Sequence, residues 1–105
     1  FDWPDISGVT DKISEEINEL NEARDKLSPK AQEEEYGDLM FVMVNFARHL
    51  KIDPEKALRT ANKKFSRRFE EVEKKLALIG KTPIQSNLGE MDDLWNEVKQ
   101  KENNR

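Results

Sequence analysis

Three observations predict an all-α fold. Apolar residues recur every three or four positions along most of the 105 residues, the spacing of one helix face. No stretch shows the strict alternation of a half-buried strand. Helix-boundary chemistry falls between the periodic runs, at Leu27-Ser28-Pro29, Asp53-Pro54-Glu55 and Lys81 to Ser86. The predicted architecture is a four-helix domain whose core is shared in a homodimer. Residues 1–105 read as a single domain, a piece of a longer chain that begins here at Phe1 rather than Met.

The elements follow in order. Phe1-Asp2-Trp3-Pro4-Asp5 is an irregular lead-in, with Pro4 suited to an early helical position. The first helix is expected from about Val9 to Lys26, with Ile6, Val9, Ile13, Ile17, Leu20 and Ala23 on one side. Pro29 marks the start of the second, from about Lys30 to Leu50. Asp53-Pro54-Glu55 starts the third: Asp as N-cap, Pro at the first helical position, an acid in the first turn. Its stripe is Leu58, Ala61, Phe65, Phe69, Val72, Leu76 and Ile79, and Gly80 terminates it. Asn87, with Glu90 three residues later, reads as a capping box for a last short helix bearing Leu88, Met91, Leu94, Trp95 and Val98. Lys101 to Arg105 reads as a frayed polar tail.

Composition narrows the function classes. Charged residues make up 38% and hydrophobic residues 35%, which suits a narrow apolar seam or a core shared between subunits. The absence of cysteine excludes disulfides and thiolate chemistry. A net charge of −4 argues against non-specific nucleic-acid binding. No apolar run approaches the roughly 18 residues of a membrane span, so the expected address is the cytoplasm.

The chemistry-bearing pattern is acidic. Glu16-x-x-Glu19 and Glu35-x-x-Asp38 are both i, i+3 pairs, so each lies along one helix face. On a wheel with Ile13 at zero, Glu16 falls at about 300°, inside the apolar arc, and Glu19 at about 240°, on its edge. Glu15 lies further out, at about 200°. With Leu39 at zero, Glu35 falls at about 320°, between Val42 and Phe46, and Asp38 borders the arc at about 260°. Each helix thus embeds one acid in its buried stripe and sets a second beside it. A buried carboxylate must be protonated, paired or bound to a cation. Pairing with a buried Arg or Lys is the bland alternative. Two matched pairs on adjacent helices favour a hard divalent cation, Mg²⁺ first. Glu22, Glu33, Glu34, Glu70, Glu71, Glu73, Glu97 and Glu102 are read as solvated face.

The third helix carries Asn62-Lys63-Lys64-Phe65-Ser66-Arg67-Arg68-Phe69. Lys64 and Arg68 are i, i+4 neighbours on one edge of its stripe, and Asn62 borders the other. An amide and two cations beside a metal site suit a polyphosphate, although an ion pair with the acidic helices is the competing role. Lys63 and Arg67 are read as solvated, His49 as a hydrogen-bonded edge residue, and Trp3 and Trp95 as packing residues. The second helix also bears Met40, Phe41 and Val44 outside its arc, so it is apolar almost all round from Leu39 to Ala47. A partner subunit is the simplest cover.

Glu15-Glu16-x-x-Glu19, fifteen intervening residues, then Glu35-x-x-Asp38 resembles the signature of the MazG nucleoside triphosphate pyrophosphohydrolases. Phe1-Asp2-Trp3-Pro4, Gly37-Asp38-Leu39, Val44 to Leu50 and the Asn62 to Phe69 segment look most like the C-terminal domain of two-domain MazG. All-α dUTPases share the outline of the acidic signature. The resemblance implies an all-α fold, dimers and Mg²⁺ dependence with Mn²⁺ able to substitute. It implies hydrolysis of nucleoside triphosphates to NMP and pyrophosphate, in house-cleaning of nucleotide pools. It makes Glu16, Glu19, Glu35 and Asp38 the metal ligands and Glu15 a supporting catalytic acid. Asn62, Lys64 and Arg68 match positions the family uses near the phosphates. Lys63 departs from the pattern, standing where relatives often have an acid.

The implied mechanism is in-line attack of water on the α-phosphorus, with Glu19 or Glu15 taking the proton and Lys64 and Arg68 holding the leaving pyrophosphate. Two rivals stay open: a narrow-specificity dUTPase-like pyrophosphatase, and a non-catalytic helical interaction module. A redox di-iron bundle needs Glu-x-x-His motifs on two helices, which a chain with one histidine does not provide.

Overall fold

The computed structural model describes residues 3–104; Phe1 and Asp2 of the lead-in and Arg105 of the tail lie outside the described residues. Among the described residues there are four α-helices and no strand: α1 (Ile6–Ala23), α2 (Pro29–His49), α3 (Pro54–Leu78) and α4 (Leu88–Asn103), with a 3₁₀ turn at Pro83–Gln85. None is long and apolar enough to cross a membrane. The chain forms two compact units, Phe1–Ala57 and Leu58–Arg105. The first holds α1, α2 and the opening turn of α3, and the second holds the rest of α3 with α4.

Capping explains where the helices begin. Asp5, rather than a residue near Val9, is the N-cap of α1, so Pro4 precedes the helix instead of entering it. The Asp5 carboxylate accepts from Ser7 Oγ at 2.6 Å and from Gly8 N at 3.0 Å. These bonds, Ser7 first, hold its carboxyl below its ordinary pKa. Trp3 lies against Gly8, where an added Cβ would meet the indole at 3.3 Å. At the other end α1 stops at Ala23, three residues before the predicted Lys26, because Lys26 N and Leu27 N both turn back onto Ala23 O. Ser28 Oγ then caps α2 through Ala31 N at 3.2 Å. Gln32 Nε2 donates to the carbonyls of Arg24 and Leu27, tying α2 to the turn. The two helices therefore fold back on each other and pack together.

In the first unit Val9, Val42 and Ala47 are buried, with Asn45 among them. Asn45 is satisfied: its Nδ2 donates to Phe41 O at 3.3 Å, and its Oδ1 accepts from Arg48 Nη1 at 3.2 Å. In the second unit Val72 and Leu76 of α3 meet Val98 of α4, with Met91, Leu94 and Trp95 around them. Phe65 stacks on Phe69 with ring centres 6.1 Å apart and tilts against Trp95 at 5.1 Å.

Two details of the second unit differ from expectation. Asn87 caps α4 by accepting from Glu90 N at 2.8 Å. The Glu90 carboxylate does not return the bond; it takes Ser86 Oγ at 2.6 Å and Lys81 Nζ at 3.1 Å. A cation and a hydroxyl outcompete a backbone amide for an ionised acid. The supposed tail from Lys101 is helical through Asn103, because Glu102 has a partner inside the unit.

Candidate metal centre

α1 and α2 bring the acids together across their packed faces. One carboxylate oxygen from each of Glu16, Glu19 and Glu35 lies within 4.8 Å of the other two. Burial follows the order given by the helical wheel: Glu16 and Glu35, set in the stripes, are half-buried, while Glu19 and Asp38, on the edges, are exposed. Asp38 stands outside the three-carboxylate group.

The bland alternative of a buried cationic partner is met in part at Glu16 alone. Lys12 Nζ reaches Glu16 Oε1 at 3.0 Å and Glu15 Oε1 at 3.4 Å. That lysine comes from the same helix and is itself partly exposed. Its hydrogen bond to Glu16 is the main reason its pKa is raised. Glu19 and Glu35 make no ion pair with any described residue. One ammonium thus faces three converging carboxylates, a charge balance that favours a further cation. Two oxygens on opposite sides of a Mg²⁺ ion stand about 4.2 Å apart. Adjacent oxygens on one such ion stand closer, about 2.9 Å apart. Three oxygens within 4.8 Å of one another therefore reach a single ion once their side chains rotate inward, and an all-carboxylate donor set suits a hard cation.

The basic residues lie on α3 in the second unit. Asn62 and Lys64 are exposed, as are Lys63 and Arg67. Arg68 is half-buried and pairs with Glu102 of α4 at 2.9 Å, beside the face of Trp95. Of the two roles open for Arg68, an ion pair is present, but with α4 rather than with the acidic helices. Glu102 was not legible as a partner, because thirty-four residues separate it from Arg68 and no local spacing links them. Lys12 was not singled out from the sequence, although its i, i+4 spacing from Glu16, a standard helical pairing, is the signal that marks it.

Residues 6–73 match the family described as the MazG nucleotide pyrophosphohydrolase domain. The nucleoside triphosphate pyrophosphohydrolase/pyrophosphatase MazG of Thermotoga maritima is 43% identical over 99 residues, 94% of this chain and 38% of the relative. The nucleoside triphosphate pyrophosphohydrolase of Escherichia coli K12 is 46% identical over 104 residues, 97% of this chain and 40% of the relative. An uncharacterized protein of Bacillus subtilis, YabN, is 46% identical over 68 residues, 65% of this chain and 14% of the relative. The chain thus spans about two fifths of the length of the first two relatives, 38% and 40%.

Proposed function

The chain belongs to the MazG nucleotide pyrophosphohydrolase family, and from that premise we propose that it hydrolyses nucleoside triphosphates to the monophosphate and pyrophosphate. The observation that carries the proposal is the convergence of Glu16, Glu19 and Glu35 to within 4.8 Å. The names of the Thermotoga maritima and Escherichia coli relatives support the same activity.

Glu16, Glu19 and Glu35, joined by Asp38, would hold Mg²⁺ or Mn²⁺. When bound, the ion supplies charge neutralisation for the triphosphate and polarisation of the attacking water. The residues of the chain do the rest. Glu19 and Glu15 are exposed beside the half-buried Glu16 and Glu35, so either can accept the proton of the attacking water. The other supports it from the same helix. Lys12 balances Glu16 and Glu15 before the substrate arrives. Asn62, Lys64 and Arg68 are assigned to the phosphates, where charge-assisted donors stabilise the departing pyrophosphate. The working form is a homodimer in the cytoplasm. Support for the dimer is the exposed apolar side of α2, with Met40, Phe41, Met43 and Val44 each more than two-fifths exposed.

The test is a panel of NTPs and dNTPs with Mg²⁺, in which pyrophosphate and orthophosphate are followed separately. Pyrophosphate without orthophosphate, from several nucleotides, is expected. Orthophosphate as primary product, or inactivity across the panel, overturns the assignment. Activity confined to dUTP would identify the narrow-specificity alternative.

A further inference from the structure

Arg68 is fixed on more than one side within the second unit. Its Nε donates to Glu102 Oε2 at 3.0 Å, and its Nη2 stands 2.9 Å from the same oxygen. The ring of Trp95 lies 5.8 Å from the guanidinium carbon. Arg67 Nη2 approaches the other Glu102 oxygen at 3.8 Å. The Arg68 and Glu102 side chains are only 17% and 29% exposed, so the pair is more enclosed than an ordinary surface contact.

The geometry of the fork decides what this pair can do. A guanidinium carries five N–H donors in a rigid plane. Glu102 takes those on the Nε edge, through one oxygen. The opposite edge, formed by Nη1 and the second Nη2 hydrogen, donates to no described residue. That edge matches two oxygens of a phosphate. Glu102 and a phosphate can therefore occupy the same arginine together, on different edges. Glu102 also sits in the last turn of α4, where the helix dipole disfavours an acid. Its cost there is offset by the bond to Arg68.

We propose that Glu102 is a positioning residue: with Trp95 it fixes the Arg68 guanidinium so that the free Nη edge is presented to a phosphate of the nucleotide. The inference rests on the pyrophosphohydrolase reading above, in which Arg68 contacts phosphate. Orientation set before binding removes part of the ordering cost that a flexible arginine would meet on binding.

The test uses the Mg²⁺-loaded protein and four variants: Glu102→Ala, Glu102→Gln, Arg68→Ala and the double change Arg68→Ala with Glu102→Ala. KM and kcat are measured for the nucleotide hydrolysed fastest in the panel, and binding of inorganic pyrophosphate is measured by calorimetry. Glu102→Ala is expected to raise KM and the pyrophosphate Kd about tenfold, with kcat changed less than about twofold. Glu102→Gln, which keeps an acceptor of the same length, should show a smaller rise. In the Arg68→Ala background, loss of Glu102 should add nothing, because its effect passes through the arginine. Additive effects would mean that Glu102 is only structural, and overturn the proposal. So would an unchanged KM, or a lowered one, which would make Glu102 a competitor for the arginine. If Glu102→Ala fails to fold, the KM and Kd of Glu102→Gln decide the question by the same criteria. A wild-type protein that binds pyrophosphate but hydrolyses no nucleotide would sink the enzymatic reading alone, leaving the binding comparison to judge Glu102.

Discussion

Lys12 Nζ stands 3.0 Å from Oε1 of Glu16, one turn away on α1, so one of the two half-buried acids of the candidate metal centre is already shared with an ammonium. A divalent ion must compete with Lys12 for that carboxylate. Glu19 and Glu35, which make no ion pair among the described residues, are left to supply the remaining attraction.

From this arrangement Glu16→Gln and Glu35→Gln should each lower activity by more than the roughly 10–100-fold that loss of an outer-shell partner costs. Without metal, Glu35→Gln should melt at or above the wild-type temperature, because the carboxylates no longer repel one another at close range. In Glu16→Gln that gain is offset by the weakened bond to Lys12, and the melting temperature should change little. Mg²⁺ should stabilise the wild type by mass action, and that rise in melting temperature should vanish in the variants. Thermal melts with and without Mg²⁺ check the point. Variants that unfold, or that still respond normally to Mg²⁺, would mark the acids as structural. Glu73→Ala, an exposed acid on α3, serves as the silent control.

Asp38 gives a separate test, since it lies outside the group formed by Glu16, Glu19 and Glu35. If it swings in to complete the ligand set, Asp38→Asn should raise the Mg²⁺ concentration for half-maximal activity by about tenfold or more. Activity titrated against Mg²⁺ measures this. A titration identical to wild type would restrict the ligand set to three glutamates.

A pH dependence follows from Glu90. Its bond from Ser86 Oγ, and secondarily from Lys81, holds its carboxyl below the ordinary value of 4.5. The unfolded chain therefore takes up this proton at higher pH than the folded one. The stabilisation is complete above 4.5 and is lost as pH falls through the lower folded value. Glu90→Gln should melt below wild type at neutral pH, and the gap should close in acid. A gap that is constant with pH would remove Glu90 from the acid response.

Lys51 and Gly80 end their helices in the same way. Lys51 has φ 59° and Gly80 φ 73°. After α2, Ile52 N bonds Ala47 O and Lys51 N bonds Arg48 O; after α3, Lys81 N bonds Leu76 O and Gly80 N bonds Ala77 O. Both are Schellman closures. The left-handed backbone is easy for glycine and strained for lysine. Lys51→Gly should therefore stabilise by about 1 kcal/mol and Gly80→Ala destabilise by about the same. No atom lies within 4 Å of a Cβ at Gly80, so the penalty there is backbone conformation alone. Urea titration of each variant checks both signs.

These two ends show what the chain made legible. Gly80 announced the end of α3 because its residue type signals positive φ, whereas Lys51 carries no such signal. Helix faces were readable only in part: Val72 and Leu76 are buried where the stripe of α3 puts them, whereas Leu58, Phe65 and Ile79 of the same stripe are more than half exposed. The convergence of Glu16, Glu19 and Glu35 was readable from the local helical period, aided by the short turn at Ser28 that makes their helices neighbours, whereas Asp38 stands outside that group. The Arg68–Glu102 bond was not, since tertiary packing alone sets its distance. The N-cap at Asp5 was not read because residues 1–5 look like an irregular lead-in and the apolar period becomes regular only from Val9, whereas α1 begins at Ile6.

One side of α2 is apolar and exposed. Met40, Phe41, Met43 and Val44 are 51%, 58%, 45% and 43% exposed. With Phe46, Ala47, Leu50, Ile52, Pro54 and Ala57, three of these line one continuous apolar groove of the first unit. Apolar surface of this kind on a helix marks an interface, and a second copy offering the same face makes a self-complementary contact. That helix also carries Glu35 and Asp38, so loss of the dimer should disturb the acidic centre. Val44→Lys places a charge in the patch without touching any acid, and is expected to shift the protein toward monomer and to lower activity in parallel. Analytical ultracentrifugation across a concentration series, with activity measured on the same samples, reads both effects. A wild-type protein that sediments as a fully active monomer at micromolar concentration would discard the shared core.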